Sequence, residues 1–86
     1  MKTASMGQDA VTAEFVKTEL KTGITFADLA LTAKYHDKFE RNKTSARKAY
    51  NSALRFLEKL TPEVAAELDS LAKHLRSKLQ ELGEPI

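Results

Sequence analysis

Apolar residues recur at intervals of three and four along almost the whole of this 86-residue chain, and that period belongs to the α-helix. Strand-like alternation is hard to find. The usual breakers are scarce, with three glycines and two prolines, so the chain reads as a few long helices joined by short turns. Cysteine is absent. That excludes a disulfide framework, a thiolate metal site and a cysteine nucleophile, and leaves the core to packing alone at a length near the lower limit for a self-sufficient domain. One domain is expected, all-α, folded as an antiparallel three-helix bundle.

The first helix is placed at about 9–35, with residues 1–8 set apart as a disordered segment. Val16, Leu20, Gly23, Ala27 and Leu31 form its stripe, widened by Ile24, Phe26, Ala30 and Ala33. Gly23 is its weak point, because glycine in a helix costs about 1 kcal/mol relative to alanine. The helix would break there if anywhere, with Thr25 as a second cap; the alternative is that Gly23 admits a neighbouring helix closely. One bent helix is our reading. Asp37 and Glu40 have capping-box spacing, which starts the second helix at about 38 and carries it to 60. Phe39, Ala46, Tyr50, Ala53, Leu57 and Leu60 make its seam. Thr61-Pro62-Glu63 combines a cap, a first-turn proline and a charge favourable to the helix dipole, opening the third helix over 62–82. Val64, Leu68, Leu71, Leu75, Leu79 and Leu82 form its stripe, Gly83 ends it, and 84–86 is a C-terminal tail.

Little in the sequence points to catalysis. His36 and His74 are the only histidines, one at a turn and one on the flank of a leucine stripe, and neither has partners at metal-ligand spacing. Glu14, Glu63 and Glu67 lie off the apolar stripes as a solvated surface. There is no Glu-x-x-His unit, phosphate-cradling glycine loop or Gly-x-Ser-x-Gly elbow. We therefore expect no catalytic, cofactor-binding or metal-binding residue, and no cofactor. No apolar run reaches the roughly 18 residues of a membrane span, and the opening residues have no apolar core behind Lys2, which gives the expectation of a cytoplasmic protein with no membrane partner.

Charge is the informative feature. Lys and Arg number 14 against 12 acids, yet the stretch 34–59 holds eight bases and three acids, a local net of +5. Arg41, Ser45, Lys48, Ser52, Arg55 and Lys59 are spaced by fours and threes and share one helix face. Arg41, Lys48 and Arg55 are heptad-spaced, about 10.5 Å apart at 1.5 Å per residue. We expect Arg41, Lys48, Arg55 and Lys59 to meet a partner. The competing readings are a merely solvated face, or one neutralised by Glu63, Glu67 and Asp69 of the third helix.

Ala46, Tyr50, Ala53 and Leu54 resemble the second helix of a tetratricopeptide repeat, whose small and aromatic positions let helices pack closely. The likeness covers one helix: Ala33 and Lys34 stand where a leucine-glycine pair belongs, Asp37 where an aromatic belongs, and no 34-residue repeat is present. Microtubule-interacting and transport domains, three-helix bundles that bind partner helices, contain similar short hairpins. Asn42 with Ala46-Arg47-Lys48-Ala49-Tyr50 and Leu54-Arg55-Phe56-Leu57 is similar to a group of short bacterial proteins of unassigned function, a resemblance that implies helices and no activity.

The functional expectation is a non-enzymatic helical protein–protein interaction module. The first rival is a nucleic-acid-associated protein using Lys34, Lys38, Arg41, Lys43, Arg47, Lys48, Arg55 and Lys59 on phosphates. The second is a small ligand-binding or enzymatic protein with its site at a homo-oligomer interface. Val11, Phe15 and Ile86, near the termini, are large apolar residues left over from the core, expected either to cover the bundle ends or to contact a second copy.

Overall fold

A computed structural model describes residues 2–86, and their side chains from residue 10 onward. Three helices follow one another: α1 (Lys2–Leu31), α2 (His36–Leu57) and α3 (Pro62–Glu81). They pack as an all-α three-helix bundle, 51 Å long and 16 by 15 Å across. At 1.5 Å per residue the 30 residues of α1 account for about 45 Å of that length. No described helix is long and apolar enough to cross a membrane.

Small residues set the approach of α1 to α2. Gly23, Ala27 and Ala30 on α1, with Ala46, Ala49 and Ala53 on α2, are all buried. Gly23 lies where both neighbours come closest: a methyl group there would stand 2.6 Å from Leu75 Cδ2 and 3.2 Å from Ala49 Cβ. The glycine therefore serves close packing and α1 runs through it unbroken. Thr25 is not a cap. Its hydroxyl donates to the Lys21 carbonyl at 3.1 Å, one turn back within the helix.

α3 contributes the bulk that α2 lacks. Leu75 and Leu79 are fully buried and Leu68, Ala72 and Leu82 nearly so, against Val16 and Leu20 of α1 and Tyr50 of α2. α1 contacts both other helices, α2 most extensively, and α2 meets α3 least. Two stripe positions differ from the sequence reading. Leu31 is 41% exposed while Ala30 is buried, and Ala72 is more deeply buried than Leu71.

The helix ends also differ. α1 is already helical at Lys2, ahead of the expected start at 9, and stops at Leu31 instead of 35. The Thr32 hydroxyl donates to the Asp28 carbonyl at 3.0 Å, bonding back onto the last turn, and the chain leaves the helix through an extended Tyr35. Tyr35 is the N-cap of α2, with φ −116° and ψ 142°. Asp37 therefore sits inside the first turn, where its charge favours the dipole without capping. α2 ends at Leu57, three residues early, because the Lys59 and Leu60 amides bond three residues back in a tightened turn that buries Leu60.

Thr61 and Pro62 open α3 where expected, with the Thr61 carbonyl accepting from the Ala65 amide at 2.9 Å. Gly83, at φ +94°, closes it. The Gly83 amide donates to Gln80 and the Glu84 amide to Leu79, both at 3.0 Å, which is the Schellman arrangement.

Candidate functional site

No charged or polar side chain is buried among the described residues, so any recognition chemistry belongs to the surface. His36, the first residue of α2, and His74 on α3 are both exposed. No cluster of three or more metal-ligating side chains occurs among the described residues. Glu14, Glu63 and Glu67 are exposed as expected.

The four basic residues singled out from the sequence all reach solvent. Arg41, Lys48 and Arg55 run along the exposed side of α2 over about 21 Å, and Lys59 extends the row just past the helix end. Ser45 and Ser52 lie between them, half-buried. Arg41 makes a weak exposed pair with Asp37 at 3.9 Å. Lys59 places its ammonium 4.9 Å from the Phe56 ring centroid, a cation–π contact that holds the charge at the end of the row. Lys48 and Arg55 form no ion pair among the described residues, and neither do Glu63 and Glu67. Asp69 pairs with Lys73 on its own helix at 3.0 Å. No acid of α3 makes an ion pair with this face among the described residues.

The wider set of eight phosphate-binding candidates is not brought together. Lys43 and Arg47 point to the other flank of α2 and hold Glu84, the residue after the Schellman turn; Arg47 binds its Oε1 and Lys43 lies 3.8 Å from its Oε2. Gln80 donates to the Ile86 carbonyl at 2.7 Å, and Ile86 packs on the core. The C-terminal tail is thus pinned to α2, a role the sequence did not signal because the partners are 37 residues apart. Glu84→Gln removes the charge at the centre of a partly exposed four-residue cluster, in which Lys43 also lies 3.7 Å from Glu40. It should lower stability by about 1 kcal/mol and speed amide exchange at Glu84 and Ile86, read by denaturation and hydrogen exchange.

Beside the basic row, two depressions open between α1 and α2. One, about 240 Å³, is walled by Val11, Thr12, Phe15 and Phe56. Phe15 and Phe56 meet edge to face with centroids 5.1 Å apart, and Val11 remains 71% exposed. The other, about 290 Å³, lies at the opposite end around Leu29, Ala33, Tyr35, Lys38 and Asn42. Leu29 and Tyr35 are 49% and 66% exposed. Neither depression includes a residue of α3. Leu29 and Tyr35 carry no signal of this site in sequence: Leu29 falls two residues from both Ala27 and Leu31, off the α1 stripe, and Tyr35 lies in the turn between α1 and α2.

No family model matches the chain, and neither does any curated protein or solved structure.

Proposed function

We propose that this chain is a non-enzymatic helical interaction module of the cytoplasm that binds an acidic protein through the outer face of α2. The observation that carries the reading is the row Arg41, Lys48, Arg55 and Lys59, exposed on one side and unopposed by the acids of α3. Exposed, long-stemmed cations add little to the stability of an isolated bundle, whereas the same cations set the rate and partner choice of an encounter with an acidic surface. A protein partner is favoured over nucleic acid because Lys43 and Arg47 are committed to Glu84, which narrows the phosphate-facing set to one row. That row also lacks interleaved aromatics for base stacking.

Arg41→Glu/Lys48→Glu/Arg55→Glu should leave helicity and melting temperature almost unchanged, since all three side chains are exposed, while weakening capture of acidic proteins from a bacterial lysate at least about tenfold. The comparison is run with nuclease-treated lysate by quantitative pull-down, with circular dichroism as the control. Material lost on nuclease treatment of the wild-type protein would transfer the row to nucleic acid. Capture unchanged by the triple reversal would remove the row from function altogether.

A further inference from the structure

The two α1/α2 depressions and the basic row are parts of one surface. On α1, the steps 15, 19, 22, 26 and 29 are fours and threes, so a single helical row joins Phe15 at one depression to Leu29 at the other. On α2, the steps 42, 45, 49, 52 and 56 do the same from Asn42 to Phe56. The middle of that second row is Ser45, Ala49 and Ser52, all short, and the α1 row opposite holds Glu19, Thr22 and half-buried Phe26, so the shallow channel we trace between the two apolar depressions passes over Phe26. Phe15 to Leu29 is 14 residues, about 21 Å, the same reach as Arg41 to Arg55. α3 is absent from both ends of the channel, and the Lys78–Asp28 bridge at 2.6 Å belongs to the α1–α3 side.

We propose that this channel receives one amphipathic helix from a protein partner, acidic along one flank. Its apolar residues, repeating at three and four, seat two anchors about 14 residues apart in the Val11/Phe15/Phe56 and Leu29/Tyr35 depressions, completing a four-helix arrangement. Its acids, at heptad spacing, meet Arg41, Lys48 and Arg55. Charge selects this occupant. Along the channel the basic groups are Lys34, Lys38, Arg41, Lys48, Arg55 and Lys59, against Glu19 in the α1 row and Asp37 beside Arg41. A second copy would bring its own basic row against this one, which like-charge repulsion disfavours. The inference rests on the acidic-partner reading above and adds the shape and pattern of the ligand.

The test is selection of 18-residue peptides from a displayed library with the intact protein as bait. Peptides enriched in both acids and a three/four apolar pattern are expected. Their amide shift perturbations on the protein should follow residues 11–29 and 38–59, and binding should weaken about tenfold or more with Val11→Asp/Leu29→Asp, whose sites are exposed enough to keep the melting curve intact. Acidic peptides without the apolar pattern, bound equally by the double variant, would overturn the channel and leave the charged face standing. No enrichment of acidic peptides would overturn both. Sedimentation of the protein alone should give a monomer; a dimer broken by Val11→Asp/Leu29→Asp would put a second copy in the channel and end the proposal.

Discussion

Gly23→Leu should unfold this domain or remove about 3 kcal/mol or more of its stability. The first carbon of any side chain at this position would overlap Leu75 Cδ2 at 2.6 Å and press on Ala49 Cβ at 3.2 Å, and a leucine adds three carbons beyond that. Leu75 is fully buried and Ala49 nearly so, so neither retreats into empty space. A domain of 86 residues holds on the order of 4 to 13 kcal/mol in total, so the loss is a large share of what exists. Gly23→Ala separates the opposing effects. The methyl group gains about 1 kcal/mol of helix propensity, displaces the end of the Leu75 side chain and pushes Ala49, with its stretch of α2, back by a few tenths of an ångström, so its net cost should fall below about 2 kcal/mol. In the presence of Leu75→Ala the added methyl occupies vacated space, and the double variant should be more stable than the sum of the single effects by about 1 kcal/mol. Urea denaturation followed at 222 nm measures the four variants against wild type. A Gly23→Leu protein within about 0.5 kcal/mol of wild type would show that the three helices do not converge at this residue.

That glycine also marks how far the sequence could be read. Helix number, order and approximate span follow from apolar period and a few local signals, of which Thr61-Pro62 and Gly83 were the firmest because their preferences are set within one turn of chain. The role of Gly23 was legible as a pair of alternatives, a break or a close approach. Choosing between them requires knowing that Ala49 and Leu75 face it, from residues 26 and 52 positions away. The end of α1 misled for a related reason. No glycine or proline stands between Leu31 and Pro62, and the helix ends where the Ala33 amide bonds only three residues back, to Ala30, and Tyr35 adopts an extended conformation.

The basic row was legible because exposure of Arg41, Lys48 and Arg55 depends only on the phase of one strongly amphipathic helix. Removal of Lys43 and Arg47 from the wider phosphate-binding set was not, since it depends on where a distant tail folds. The apolar channel escaped notice for a third reason. Val11 and Phe15 stand out in sequence only as apolar residues near a terminus, Leu29 and Tyr35 not at all, and only the placement of α3 on the other side of α1 leaves them uncovered together.

Leucines that look equivalent in sequence should therefore differ sharply on truncation. Leu79→Ala is expected to cost about 2 to 5 kcal/mol, because its side chain is fully buried and the surrounding helices collapse only partly into the space left behind. For a domain of this size each kcal/mol moves the melting temperature by about 4 to 8 °C, so a fall of at least about 8 °C should be seen. Leu31→Ala, on the stripe the sequence assigned to the core, should change stability by less than about 1 kcal/mol, because the side chain is already 41% exposed and alanine favours the last helical turn. Thermal unfolding by circular dichroism compares the two. The contrast tests the packing of α1 directly: if Leu31→Ala cost as much as Leu79→Ala, the helix would be rotated so that Leu31 replaces Ala30 at the seam. Leu29 would then turn with it, and the apolar end of the α1/α2 channel would lose the residue proposed to anchor a partner helix.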